Sequence, residues 1–159
     1  MATILCVSAC FVHAATSAEE FCDEVKKALS SSKKFSEWRG KVTTEREWVS
    51  LYSLPGFDDC HIVQLSLGSF NLRCVRGWWL ELKPASFEYD QVRKIVEECL
   101  PKPNWVHNQK NDPLPSQSFI NPNGENASIS IVKIQAPFFP NAPKSSDIYQ
   151  THLFIFEQF

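Results

Sequence analysis

The sequence predicts a single α+β domain, with an antiparallel sheet of about five strands and two amphipathic helices on one face, in the order α-β-β-β-α-β-β. Three observations carry this. Cys60 to Leu82 reads as two strands joined at Gly68-Ser69, with apolar residues alternating along them. Two flanking segments repeat apolar residues at helical spacing. The chain has 159 residues and is 43% hydrophobic, which is enough for one core and short for two.

If Gly68-Ser69 is a two-residue turn, Leu67 pairs with Phe70, Leu65 with Leu72, Val63 with Cys74 and His61 with Arg76. Those residues, continued by Trp78, Leu80 and Leu82, form a core face. Gln64, Arg73, Ile62, Cys60, Trp79 and Lys83 then lie on the opposite face, toward solvent or a partner. In this register Cys60 and Cys74 stand about 10 Å apart, beyond the reach of a disulfide.

The helix before the hairpin has Phe21, Cys22, Val25 and Leu29 on one stripe and Asp23, Glu24, Lys26 and Lys27 on the other. Phe35 and Trp38 pack in a short turn ended by Gly40, and a first strand runs from about Glu47 to Leu54. Leu54-Pro55-Gly56 with Asp58-Asp59 is turn chemistry that leads into the hairpin. After Lys83-Pro84, Ser86 caps a second helix whose stripe is Phe87, Val92, Ile95, Val96, Cys99 and Leu100, and Pro101 stops it. Pro101 to Asn126 is polar and reads as one long loop holding Trp105 and Phe119. Ala127 to Gln135 and the terminal THLFIFEQF are the last two strands. Pro137-Phe138-Phe139-Pro140 lies between them. No internal sequence repeat is visible.

Residues 1–18 contain no Asp, Glu, Lys or Arg and end in small residues, the form of a signal peptide cleaved to leave a domain over residues 19–159. A positively charged start is missing from it, and Val7-Ser8-Ala9-Cys10 has the look of a lipobox. The run is too short to span a bilayer, so no integral membrane segment is expected after cleavage. Cleavage leaves Cys22, Cys60, Cys74 and Cys99, an even set that argues for two disulfides in a periplasmic or secreted protein. With Cys60 and Cys74 apart, Cys74 is expected to pair with Cys99, or else with Cys22, and Cys60 with the remaining one.

A net charge of −2 with interleaved signs disfavours nucleic acid as partner. Cys60-His61 resembles a thiolate–imidazole pair, but neighbours on a strand point to opposite faces, so it is not a catalytic dyad. The histidines are scattered, no metal or phosphate-loop motif is present, and Glu19-Glu20, Asp58-Asp59 and Glu97-Glu98 are sequence neighbours rather than facing acids. No catalytic residue, metal or cofactor is therefore expected. Trp38, Trp48 and Trp78 are expected in the core. Trp79 with Arg73, and Trp105, Phe138 and Phe139 in the long connections, have the composition of a protein-binding surface. Asn126-Ala127-Ser128 fits the N-glycosylation sequon.

The cysteine-bearing helix, Trp48, Leu54-Pro55-Gly56 before Cys60, Cys74, and the helix ending Cys99-Leu100 before Trp105 resemble small exported bacterial proteins of uncharacterised function, over about residues 20 to 105. That resemblance implies export and disulfides and no activity. The expected element order is also similar to type III secretion chaperones, a likeness of topology that carries no function. The reading that follows is an exported, non-enzymatic domain that binds another protein, as an inhibitor or immunity-type protein does. The alternative is a small-ligand or carbohydrate-binding protein with Trp79 and Trp105 as platforms. A third class, an enzyme, would need a cleft gathering His61, Arg76 and a carboxylate.

Overall fold

The computed structural model describes residues 18–66, 68–111, 113–135 and 147–157. The leader, Cys10, Phe138 and Phe139 lie outside them. Helix α1, Ala18–Ser30, buries Phe21, Val25, Ala28 and Leu29 along one stripe and carries Glu19 and Glu20 in its first turn, where the helix dipole favours acids. A 3-10 helix, Ser32–Trp38, buries Phe35 and leads into four strands: β1 (Arg39–Thr44), β2 (Glu47–Ser50), β3 (Asp59–Gln64) and β4 (Phe70–Trp79). Helix α2, Leu82–Cys99, follows, then β5 (Val106–Lys110), β6 (Ser116–Ile120), β7 (Asn126–Gln135) and β8 (Asp147–Phe156).

The α+β class stands, but the sheet has eight strands rather than about five. All pair antiparallel in the order β1-β2-β3-β4-β8-β7-β6-β5. Each helix is thus followed by a four-strand meander, and the two meanders join along β4 and β8. This order differs from the one that resembled the secretion chaperones, and that likeness lapses. Three strands lie where sequence periodicity is weak. Gly40, read as a stop, sits inside β1. The supposed loop from Pro101 holds β5 and β6, whose residues are mostly polar because β5 is an edge strand with little to bury. Pro84 lies in the first turn of α2, where a helix has no amide bond for proline to break.

The hairpin of β3 and β4 is closed by residues 65–69 rather than by two residues, with Leu65 N donating to Ser69 O at 2.7 Å. Gln64 therefore faces Phe70, Ile62 faces Leu72 and Cys60 faces Cys74. The expected face of β4 holds as far as Arg76, after which Trp78, Leu80 and Leu82, expected on the core face, are exposed, while β3 is inverted: Cys60 and Ile62 point to the core, and His61 and Val63 point away. The inversion also settles the disulfides. Cys60 bonds Cys74 across the hairpin, with Cα atoms 4.1 Å apart, and Cys22 bonds Cys99 between the helices, at 4.9 Å. The expected Cys74–Cys99 bridge is not formed.

One face of the sheet holds Cys60, Ile62, Leu72, Cys74, Phe119, Ala127, Ile129, Ile131, Leu153 and Ile155, and both helices pack on it. From α2 come Ala85, Tyr89, Val92, Val96 and Cys99, whereas Phe87 is 67% exposed. Tyr52 stacks on Trp38 with ring centroids 4.4 Å apart, and its hydroxyl donates to the Glu24 carboxylate. Burial and that hydrogen bond push the Tyr52 phenol far up, and the same bond holds Glu24 below the usual carboxylate range. No helix among the described residues is long and apolar enough to cross a membrane. Two disulfides are consistent with an exported protein.

Candidate binding surface

Residues that alternate with the core along the strands face away from the helices, and the strand register sets them out in rows. One row runs Glu47, Val63, Asn71, Phe156, Asn126, Ile120, Val106. The next runs Val49, His61, Arg73, Phe154, Ser128, Ser118, Asn108. No described helix lies over these rows. Their chemistry changes across the sheet, from charged residues with Val49 and Val63 on β2–β4, to aromatic on β8, to hydroxyl and amide groups with Ile120 and Val106 on β5–β7.

At the charged end, Glu47 Oε1 accepts from Arg73 Nη2 at 2.6 Å and lies 2.8 Å from His61 Nδ1, while His61 Nε2 meets Asp59 Oδ2 at 2.6 Å. The imidazole thus faces a carboxylate on either side, with neither nitrogen turned to an incoming substrate. The Nδ1 contact is off the hydrogen-bonding direction, and Arg73 Nε has no partner. Asp59 is the most open member, its side chain 56% exposed. Phe154 and Phe156 stack with centroids 6.2 Å apart. Phe156 is flanked by Asn71 on β4 and Asn126 on β7, and both amide oxygens lack a partner. Asn126 is the sequon asparagine, so a glycan there would occupy this face.

Further along β8 the same face holds His152, which is buried against Val75 on β4 and next to Phe154. Burial, and then the charge of Arg73, push its imidazole down to about 4, so it is neutral near pH 7. Its Nε2 pairs with Gln150 Oε1 at 3.1 Å and its Nδ1 has no partner.

The sequence-derived residues fall in different places. Arg73 is on the open face as expected. Trp79 is not beside it: β4 bulges between Arg76 and Trp79, Gly77 takes φ +75°, and Trp79 turns to the helix side opposite Tyr149. There its Nε1 donates to Glu88 Oε2 at 2.7 Å, and Glu88 Oε1 accepts from Arg76 Nε at 3.1 Å. A Cβ on Gly77 would lie 2.0 Å from that carboxylate, so the bulge requires glycine twice over. Trp105 is only 9% exposed and belongs to the core, and Trp78, expected in the core, is 54% exposed. Arg76 and His61 lie on opposite faces, so they form no common cleft. Among the described residues no cluster of three or more His, Cys, Asp and Glu could hold a metal ion.

Sequence reading missed Glu47, Phe154 and Phe156 as surface residues. Their signal was present in LFIF, residues 153–156, where Leu153 and Ile155 face in and the two phenylalanines face out. The run is apolar throughout, so its pattern does not tell the two faces apart. Comparison with protein-family models, with curated proteins and with solved structures finds no match.

Proposed function

We propose that this chain is an exported, disulfide-stabilised module that binds another protein through the open face of its sheet, in the manner of an inhibitor or immunity-type protein. The single observation that supports this most is the Phe154–Phe156 stack, set between the Arg73–Glu47–His61–Asp59 network and the serines of β6 and β7 on a face over which no described helix lies. Aromatic anchors with arginine at the centre and polar groups around them are the usual composition of a binding hot spot. The partner that fits is a protein whose protruding loop brings an apolar tip to the phenylalanines and a hydrogen-bond donor to Asp59, the most open member of the charged network. Export rests on the leader and the disulfides. In the small-ligand reading, Trp79 and Trp105 would act together, but Trp79 bonds to Glu88 in the first half of α2, whereas Trp105 lies with Cys99 and Leu100 at its C-terminal end.

The test is capture of a partner by the oxidised protein, followed by binding measurements on variants. Ser128→Arg places bulk on the open face without touching the core, and Phe156→Ala removes an anchor. Both should weaken binding at least about tenfold. Lys94→Ala, on the exposed side of α2, should leave it unchanged. Unaltered binding by Ser128→Arg and Phe156→Ala would remove the open face from the interface.

A further inference from the structure

Beyond the C-terminal end of α2, away from Trp79 and from the open face, a cavity of about 410 Å3 opens between α1, the last turn of α2, the chain entering β5 and the β6–β7 turn. That volume suits a small molecule. Leu29, Leu100 and Trp105 line it with apolar surface, and Lys26, Glu98 and Glu125 bring charges of both signs to it. Among the described residues, Lys26 and Glu98 make no ion pair, with each other or with any other group. Opposite charges that share a cavity without neutralising each other are both left for a ligand that carries both.

The walls are held before any ligand arrives. The Cys22–Cys99 bridge ties α1 to the end of α2, and Cys99 itself lines the cavity. The ring of His107 contacts Leu100 O through Nε2 at 2.7 Å, fixing the turn toward β5. Asn121 Nδ2 donates to the Glu125 carboxylate and holds the β6–β7 turn. A site fixed in this way loses little ordering entropy on binding.

We propose that this cavity binds a small zwitterion with an apolar body, an α-amino acid of the leucine or phenylalanine kind. Lys26 takes the carboxylate, Glu98 and Glu125 take the ammonium, and Leu29, Leu100 and Trp105 receive the side chain. The second carboxylate and the negative end of the α2 dipole both favour the ammonium at this end of the helix. This site is independent of the protein-binding face.

Titration calorimetry of the oxidised protein with L-phenylalanine, 3-phenylpropionate and phenethylamine tests it. L-phenylalanine should bind saturably at one site, and each analogue, lacking one charge, should bind about tenfold more weakly. Lys26→Met should abolish the advantage over phenethylamine alone, and Glu98→Gln, with Glu125 still present, should reduce the advantage over 3-phenylpropionate alone; both residues are exposed helix positions, so neither change disturbs the core. Absence of saturation by L-phenylalanine at about 10 mM overturns the proposal. Equal affinity for the three probes overturns it as well, because the charges would then play no part.

Discussion

Cys60 and Cys74 face each other directly across β3 and β4 and are bonded, whereas Cys22 and Cys99, 77 residues apart in sequence, join the two helices. The two bridges do different work. The first closes a separation of 14 residues within a hairpin that is already paired, and the second fastens one half of the chain to the other.

Loss of the two bridges should therefore be unequal. In the chain-entropy model, bridges closing separations of 77 and 14 residues contribute about 4.5 and about 3 kcal/mol. Urea unfolding of Cys22→Ser/Cys99→Ser against Cys60→Ser/Cys74→Ser should show the helix bridge as the more costly loss. The reverse order would mean that the unfolded chain is already constrained between its halves.

Gly77→Ala should destabilise the fold by about 2 kcal/mol or more. It strains a residue at φ +75° and drives Cβ into the carboxylate of Glu88 that holds Trp79 and Arg76. Glu88→Gln keeps an acceptor and should cost less. Chemical denaturation of the two variants gives the comparison.

The burial of His152 predicts an acid-sensitive fold. Its imidazole is pushed down to about 4, against an ordinary value near 6.5, so the unfolded chain binds a proton that the folded chain refuses. The stability is complete above about pH 6.5 and is lost as pH falls toward 4, by up to about 3 kcal/mol. Among the described residues, the groups around the ring are Arg73 and Val75 on β4, Gln150 and Phe154 on β8, and Ser130 on β7. Of these only Arg73 is charged, and it opposes protonation. His152→Gln should flatten the pH dependence between these limits, as read from urea midpoints.

Tyr52→Phe keeps the stack on Trp38 and removes only the hydroxyl that Glu24 accepts. A loss of about 1.5–3 kcal/mol is expected, as for a hydrogen bond to a charged group. Glu24, released from its donor, should titrate higher. Its lowered value contributes stability above the ordinary carboxylate range that is lost as pH falls, and this contribution should shrink in the variant. Carboxyl chemical shifts followed through the acid range would show it.

The sequence was most informative where one face of an element is apolar and the other is not. Residues at helical spacing placed α1, and Val92, Val96 and Cys99 placed the buried side of α2. It was least informative for VHNQK and SQSFI, the strands β5 and β6, since an outer strand buries at most every second residue and has no strong period to display. The surface was legible in part. Arg73 could be assigned to the open face from its parity with Cys74, but Trp79 could not, because a bulge at one glycine reverses parity beyond it.

By itself the sequence determined the α+β class, the two principal helices, the strands β2, β3, β4, β7 and β8 and the four cysteines that bond, because these depend on local periodicity and on counting. Only the tertiary structure decided which cysteines meet, how many strands the sheet holds, which residues share its open face and where the cavity lies beside Trp105. Those depend on register, and register is set by a turn of a few residues. Adding or removing one residue there moves every side chain of a strand to the other side.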